Sequence, residues 1–252
     1  MSKKLLFAAA LAMLLAVSLS AAPVGVELSL VIDVSGSVDS TEYALQRDGY
    51  RDAFKSAAVK SLIASTVGGV AVNVIQFSTS ATEVIGWTLL TTAAESDAFG
   101  DLMGAMARSG VIGIRTDIID GVDAAVAALG SNSYEGARRL IDVSGDGPQN
   151  EQSCPDDVTS ICGLLQASRD AAAAAGITIN GLAIGPASLA TYYTNNLITP
   201  GGFVLNATFD TFGEAIEDKL FTEISGVPEP STYALMGAGL IALVGLRKRF
   251  AK

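Results

Sequence analysis

The chain has 252 residues, two cysteines, no histidine and a formal net charge of −10 at pH 7. Between Pro23 and Gly226 there are 10 Lys and Arg residues against 25 Asp and Glu, which leaves a net charge of −15. This acidity argues against nucleic-acid binding, which needs a basic surface. Because histidine is absent, a Ser-His-Asp catalytic triad is excluded.

The first 22 residues predict a secretory signal peptide. Lys3 and Lys4 precede an apolar run at 5–19, and Ser20-Ala21-Ala22 supplies small side chains for cleavage. The alternative is an uncleaved N-terminal membrane anchor. We therefore expect an exported protein whose folded part begins at Pro23.

The folded part, predicted as one domain over 23–226, alternates strand-like and helix-like segments. Strands are predicted at 26–32, 70–77, 81–89, 140–144, 177–184 and 203–209, with the third as a hairpin partner of the second. Helices are predicted at 40–65, 95–107, 116–129, 163–175 and 212–224, with loops at 147–162 and 185–202. This alternation predicts an α/β domain with a doubly wound, mostly parallel central sheet flanked by helices on both faces. Ligands of such sheets bind beyond the carboxyl ends of the strands.

Cys154 and Cys162 both lie in the predicted loop at 147–162. An even number of cysteines in an exported chain indicates disulfide bonding, so we expect one disulfide that closes this loop. The alternative is two free thiols. The spacing fits neither a zinc-binding pair nor a redox CxxC motif.

A candidate site follows the first predicted strand, where the chain reads Asp33-Val34-Ser35-Gly36-Ser37. Carboxylate and hydroxyl oxygens are hard ligands suited to Mg²⁺, Mn²⁺ or Ca²⁺. Gly36 permits the tight turn that faces both serines toward one point. The alternative is a helix-capping turn, because Ser and Asp are common caps.

Two further segments bring the same chemistry to this edge of the sheet. Thr116 opens a predicted helix, and Asp146 follows the predicted strand at 140–144. Because the carboxyl ends of parallel strands meet at one edge, we expect these side chains to converge with the motif. The predicted metal ligands are Asp33, Ser35, Ser37, Thr116 and Asp146.

These residues, in this order, resemble the metal-ion-dependent adhesion site (MIDAS) of von Willebrand factor type A domains. The resemblance covers nearly the whole folded part, and the segments at 141–147 and 174–182 look most like a bacterial branch of uncharacterised proteins. It implies a Rossmann-like fold and a bound Mg²⁺, or Mn²⁺ or Ca²⁺ in its place. It also implies that a carboxylate from a partner completes the coordination shell.

Within the resemblance, Ser35, Ser37 and Thr116 are expected to ligate the cation directly, and the aspartates directly or through water. One departure lies at Gly145, because the family places Thr or Ser directly before its Asp-Gly. The register of this strand end is therefore open by about one residue.

Other acidic residues have competing interpretations. Asp142 lies inside an apolar strand, where a carboxylate needs a partner. It could hydrogen-bond a ligand of the metal, or brace a neighbouring loop, which we favour. Asp117, Asp120 and Asp123 follow helical spacing near an N-terminus and predict a solvated helix face. Neither 33–44 nor 142–153 has both the glycine and the final acidic residue of an EF-hand loop.

The C-terminal segment, 227–252, has three parts. Pro228-Glu229-Pro230-Ser231 precedes an uncharged, largely apolar stretch at 233–246, and Arg247-Lys248-Arg249 follows it. The apolar stretch would span roughly 21 Å as a helix, short of a membrane core of about 30 Å. This order resembles the PEP-CTERM sorting signal of Gram-negative bacteria. The resemblance implies transient retention in the inner membrane, an exosortase-type processing enzyme, and delivery to the cell surface or extracellular matrix; the alternative is a plain tail anchor.

Three functions remain open at this stage. The first is metal-dependent adhesion to a protein or matrix ligand that offers a carboxylate. The second is a structural role in the extracellular matrix without use of the metal. The third is a metal-dependent hydrolase that uses Asp33, Asp142 and Asp146. Because the predicted ligands are rich in neutral hydroxyls, we favour adhesion and do not expect an enzyme.

Overall fold

The computed structural model describes residues 21–109 and 113–226. A six-stranded sheet has the order β3-β2-β1-β4-β5-β6, and only β2 and β3 pair antiparallel. The strands are β1 (Ala22–Asp33), β2 (Val70–Phe77), β3 (Ala81–Leu90), β4 (Tyr134–Gly145), β5 (Ile177–Ile184) and β6 (Val204–Ala207). The predicted doubly wound, mostly parallel α/β architecture is confirmed. The signal peptide and C-terminal segment predicted from the sequence lie almost entirely outside the described residues.

Helices cover both faces of the sheet. They are α1 (Ser40–Lys55), α2 (Ala57–Ser65), α3 (Ala93–Ala105), α4 (Ile118–Ser131), α5 (Gly163–Ala174), α6 (Ala187–Asn196) and α7 (Phe212–Ser225), and a 3₁₀ turn (Phe209–Thr211) precedes the last. Across the described ranges, no helix has both the length and the apolar character that crossing a membrane would require.

Alternate residues of β1 supply two separate cores, because successive strand side chains point to opposite faces. Leu28, Leu30 and Ile32 pack with α1, α2, α3 and α7, whereas Val31 packs on the face covered by α4, α5 and α6. The neighbouring strands β1 and β2 are therefore buried on both faces over most of their length, as expected for a sheet covered by helices.

Two helix boundaries differ from the prediction. The predicted helix at 40–65 divides at Ser56, whose backbone is extended and whose hydroxyl accepts a hydrogen bond from Val59 N to cap α2. The predicted loop at 185–202 contains α6, which begins directly after Pro186. Both changes follow local capping chemistry, since Ser caps helices and Pro is tolerated at their start.

The start of α4 places one of the predicted ligands. The helix begins at Ile118 rather than at Thr116, because the Asp117 carboxylate accepts a hydrogen bond from Asp120 N and acts as the N-cap. Thr116 therefore lies before the helix, where its hydroxyl contacts Ser35 Oγ.

The predicted disulfide is confirmed: Cys154 and Cys162 are bonded. Cys162 is buried and is also the N-cap of α5, with its sulfur accepting from Leu165 N. The disulfide thus fixes the loop after β4 to the start of a helix.

Candidate metal site

The motif after β1 forms a tight turn at the carboxyl edge of the sheet. Asp33 is the last residue of β1, and its Oδ1 accepts a hydrogen bond from Ser35 N at 2.7 Å. Gly36 N donates to Ile114 O at 2.9 Å, and a Cβ on Gly36 would lie only 3.0 Å from that oxygen. The glycine is therefore required for close approach to the segment that leads into Thr116.

The predicted ligands form one continuous chain of polar contacts. Thr116 Oγ1 donates to Ser35 Oγ at 3.2 Å, and the Ser35 and Ser37 hydroxyls lie 3.1 Å apart. Ser37 Oγ donates to Asp146 Oδ1 at 2.7 Å. Three segments that are distant in the sequence therefore bring their oxygen atoms together at one point of the sheet edge.

Gly145 explains the departure from the family pattern. A Cβ at this position would lie 2.7 Å from Tyr193 Oη and 2.9 Å from Asp33 Oδ2, so there is no room for Thr or Ser. Ser144 belongs to the other face, where its hydroxyl accepts from Tyr50 Oη at 3.2 Å. The residue that reaches Ser37 is Asp146 itself.

The electrostatics of the site favour a cation. Asp33 is fully buried, and burial together with the nearby charge of Asp146 raises the pKa of Asp33 to about 7. Burial also raises the pKa of Asp146. In the described part of the chain, Asp33 Oδ2 has no hydrogen-bond partner. An unpaired buried carboxylate oxygen is costly, and a positive ion beside it would remove that cost.

The donor set is built from hydroxyls more than from carboxylates. Among residues 21–109 and 113–226, no group of three or more Asp, Glu or Cys side chains is placed to hold a metal ion. The converging set contains only two carboxylates, Asp33 and Asp146. The residues present therefore fit a hard divalent ion that keeps several waters, as Mg²⁺ does.

Thr116 is held in place by residues that the sequence analysis did not single out. Its backbone N–H donates to Asn150 Oδ1 at 2.8 Å, and Asn150 N donates back to Thr116 O at 3.0 Å. Gln149 Nε2 donates to Asp117 Oδ1 at 2.8 Å, and Gln152 Nε2 to the same carboxylate. The loop after β4 is thus tied to the start of α4, beside the predicted ligands.

The predicted solvated face of α4 is found only in part. Asp117 is buried and accepts the bonds just described, Asp120 Oδ2 accepts from Ala81 N at 2.5 Å, and Asp123 Oδ1 accepts from Ser168 Oγ. Asp117 therefore faces a neighbouring element instead of water, Asp120 is half-buried, and Asp123 is exposed although it contacts Ser168. Helical spacing alone could not distinguish these two environments.

Asp142 does not join the network of predicted ligands. Its Oδ1 lies 2.6 Å from Lys219 Nζ of α7, and both side chains are fully buried. The assignment of Asp142 as a support for a metal ligand is therefore corrected: it holds a helix against the sheet. Bracing was the favoured alternative, although its partner is α7 and not a loop.

Residues 23–228 match the model of a family described as Protein of unknown function (DUF1194), and residues 226–249 match the PEP-CTERM protein-sorting motif. The sequence has no match among curated proteins. The predicted resemblance of the C-terminal segment to a PEP-CTERM signal is therefore confirmed.

Solved structures share the fold at low sequence identity. Proximal thread matrix protein 1 (PTMP1) from the mussel byssus is 17% identical, with a TM-score of 0.59 over 81% of this chain and 47% of its own. The pilus adhesin SpaC from Lactobacillus rhamnosus GG is 14% identical, with a TM-score of 0.58 over 79% of this chain and 30% of its own. The von Willebrand factor domain of the pilus tip protein Mfa5 from Porphyromonas gingivalis is 11% identical, with a TM-score of 0.55 over 82% of this chain and 97% of its own.

This chain spans less than half the length of the first two proteins, and identities of this size establish the fold alone. One structure of the mussel protein has a zinc-occupied MIDAS motif. The predicted von Willebrand factor type A-like fold is confirmed by these neighbours. Because the family model spans most of the sequence, the chain belongs to the DUF1194 family, with a von Willebrand factor type A-like fold and a C-terminal PEP-CTERM sorting motif.

Proposed function

We propose that this domain is a metal-dependent adhesion module of an exported surface or matrix protein. The observation that carries the proposal is the convergence of five oxygen-bearing side chains from three segments. Beside them lies a buried carboxylate oxygen of Asp33 that has no hydrogen-bond partner among the described residues. The proposed ligands of the cation are Asp33, Ser35, Ser37, Thr116 and Asp146.

The chemistry of the set favours Mg²⁺, with Mn²⁺ or Ca²⁺ as substitutes. Three neutral hydroxyls and two carboxylates leave the bound ion electrophilic, and Mg²⁺ keeps waters where protein ligands run short. When bound, the cation would supply an anchor for an Asp or Glu carboxylate of a protein or matrix partner. The surrounding loops at 147–162 and 185–202 would then select the partner.

The structural neighbours and the sorting motif support an extracellular role. The neighbours include a matrix protein and a pilus adhesin, and one of them carries a metal in its MIDAS motif. The PEP-CTERM motif supports export to a Gram-negative envelope, with transient retention in the inner membrane and an exosortase-type enzyme as a processing partner. We propose delivery to the cell surface or extracellular matrix, with 1–22 as the signal peptide, 23–226 as the domain and 227–252 as the sorting segment.

A hydrolase is the less favoured function. The predicted catalytic acids included Asp142, but its contact with Lys219 holds that carboxylate away from the network of proposed ligands. Only two carboxylates then remain at the site, so the set of three acids on which the hydrolase hypothesis depended is not assembled there. We therefore propose a protein that is not an enzyme.

Calorimetric titration of the exported chain with MgCl₂ and MnCl₂ tests the proposal. We expect saturable binding at one site, lost in Asp33→Asn and in the Ser35→Ala/Ser37→Ala double variant, while circular dichroism shows an intact fold. Asp170→Asn is the matched control, since this exposed aspartate lies outside the proposed site and pairs, among the described residues, with its neighbour Arg169. Absence of binding by the folded wild type would overturn the proposal and favour the structural matrix role.

A further inference from the structure

A buried cluster of charged side chains lies between α7 and the centre of the sheet, apart from the proposed metal site. Lys219 Nζ is 2.6 Å from Asp142 Oδ1 and 2.6 Å from Glu223 Oε1. Asn180 Nδ2 donates to the same oxygen of Glu223 at 2.9 Å. We call Lys219, Asp142 and Glu223 the Lys219 cluster. Lysine is almost never fully buried unless it is paired, and here two acids share one amine.

The cluster is closed off from water, and an aromatic ring lies beside the amine. Lys219 and Asp142 have no exposed side-chain area, and the Phe203 ring centroid lies 5.8 Å from the amine nitrogen. Within the described residues, Asp142 Oδ2 and Glu223 Oε2 are buried without a hydrogen-bond partner. Such an environment penalises charge, and transfer of one proton across the contact between Lys219 and Asp142 would leave two neutral groups.

The cluster holds two acids but only one amine. If Lys219 and Asp142 form an ion pair, Glu223 is left as a second acid that can keep its own proton. Burial raises the pKa of Asp142, and burial together with the charge of Asp142 raises the pKa of Glu223 to about 8. At neutral pH Glu223 therefore retains a proton. It contacts the lysine nitrogen directly, so it can pass that proton between reacting atoms.

We propose that Lys219 and Asp142 condense to an intramolecular amide bond, with Glu223 as the catalytic proton carrier. The amine and the carboxyl group are held in contact by a helix and a central strand, which gives the pair a high effective concentration. A site that excludes water favours the amide over the separate amine and acid. The water released by the condensation leaves for bulk solvent, so it is not available to hydrolyse the new bond.

The step balances without any other reactant. Lys219 first passes one proton to the Asp142 carboxylate across their 2.6 Å contact, which gives a free amine and a carboxylic acid. The nitrogen lone pair then attacks Asp142 Cγ, the new C–N bond forms, and the carbonyl π electrons move onto oxygen, which accepts a hydrogen bond from the protonated Glu223. The carbonyl then re-forms while the Cγ–OH bond breaks. Glu223 transfers a proton from nitrogen to the leaving hydroxyl, so the products are one amide and one water. Nothing is oxidised or reduced.

The bond would join the last helix of the domain to the middle of the sheet. Helix α7 ends at Ser225, directly before the sorting motif begins, whereas β4 is hydrogen-bonded to both β1 and β5. Tension applied through the C-terminal segment would then reach the central strand through a covalent bond. Without it, only noncovalent packing of α7 would carry that load.

Peptide mass spectrometry of the full chain, exported in a Gram-negative host, tests the proposal. Trypsin with a glutamate-specific protease cuts after Arg139 and Glu151, and after Glu217 and Glu223. We expect 140–151 joined to 218–223, lighter than the sum of the two peptides by one water, and no tryptic cleavage after Lys219. Separate peptides with cleavage after Lys219 would overturn the proposal. Loss of ammonia, with a peptide containing Asn180 attached, would overturn Asp142 as the acceptor.

Variants assign the roles within the cluster. Lys219→Arg keeps the charge but cannot form this amide, so the joined peptide should be absent. Glu223→Gln keeps the size of the side chain but removes the proton carrier, and we expect at least a tenfold fall in the joined fraction. An undiminished joined fraction in Glu223→Gln would show that Glu223 is not the carrier. The result of the wild-type digest tests the proposal by itself, even if either variant fails to fold.

Discussion

Gly145 shows how one residue can depart from a family pattern without removing the site. A side chain at 145 would enter the space between Tyr193 Oη and Asp33 Oδ2. Tyr193 is fully buried, and burial and the nearby charges of Asp33 and Asp146 raise the pKa of its phenol well above the usual value. The phenol therefore stays neutral and fills the volume that a Thr or Ser occupies in the family pattern.

Gly145→Ala is expected to lower the free energy of unfolding by about 1–3 kcal/mol, because overpacking forces neighbouring atoms to move. It should also weaken Mg²⁺ binding, since the added methyl group would displace Asp33 Oδ2. Denaturant unfolding and calorimetric titration measure the two effects. Gly130→Ala is the matched control: nothing lies within 4 Å of its added methyl group, and Ala stabilises a helix by about 0.5–1 kcal/mol relative to Gly. Equal effects of the two substitutions would contradict the argument.

The convergence of the five candidate residues is easier to predict from the sequence than the residues that hold them in place. Asp, Ser and Thr at strand ends form a recognisable pattern, and the structure brings them into contact. Asn150 and Gln149 belong to no motif, because a side-chain amide can bond almost any backbone group. Their role depends on the loop after β4 returning to α4, which local sequence does not encode.

Asn150→Ala should weaken Mg²⁺ binding about tenfold, a cost of about 1.4 kcal/mol that is typical of a lost hydrogen bond. The reason is that Thr116 N loses its acceptor, so the Thr116 hydroxyl is less well placed. Asn150→Asp is the conservative control, since it keeps an acceptor oxygen at this position. Calorimetric titration compares the three proteins. Equal affinity for Mg²⁺ in Asn150→Ala and the wild type would show that Asn150 does not help to position Thr116 for the cation.

At the scale of the elements, the sequence predicts strands more reliably than helix ends. Strands β2 and β5 have the predicted bounds, because runs of valine and isoleucine buried on both faces leave little ambiguity. The division at Ser56 was missed because apolar spacing continues across it. Helix α6 was missed because its segment is mostly polar and begins with Gly185-Pro186, which indicates a turn.

The disulfide stabilises the loop that reaches the proposed site. Cys154→Ser/Cys162→Ser should lower the free energy of unfolding by about 2–3 kcal/mol, because closing a short loop removes entropy from the unfolded chain. Thermal unfolding with and without reductant measures this effect: the wild type should respond to reductant, and the double variant should not. A double variant as stable as the oxidised wild type would contradict it.

At the scale of the whole domain, the proposed site and Gly226, the first residue of the sorting-motif match, lie at opposite edges of the sheet. Gly226 approaches Arg138, whose guanidinium donates to Glu223 O at 2.6 Å near the start of β4, whereas Gly145 at the end of β4 adjoins Asp33. Seven residues of strand separate Arg138 from Gly145, roughly 23 Å. A chain anchored through its C-terminal segment would therefore present the proposed site away from the membrane.

The stability of the whole domain should depend on pH through Asp33. Its pKa is raised from 3.8 to about 7 in the folded protein, so between these values the folded state binds more protons than the unfolded state. Stability contributed by the protonated carboxyl is therefore lost as pH rises through this window, by up to about 1.4 kcal/mol per pH unit. Carboxylates whose pKa is lowered by hydrogen bonds, such as Asp52 and Asp157, act in the opposite direction at lower pH.

Comparison of the wild type with Asp33→Asn isolates this contribution, because the amide does not titrate. With EDTA present, denaturant unfolding at pH 5 and pH 7.5 should show the wild type losing about 1–3 kcal/mol more than Asp33→Asn as pH rises. With Mg²⁺ present, the loss should shrink in the wild type alone, since the cation binds the ionised carboxylate and stabilises the folded state by mass action. Equal pH dependence in the two proteins would contradict this prediction. It would mean that Asp33 is already ionised at both pH values without a cation, so that its burial does not link its ionisation to cation binding.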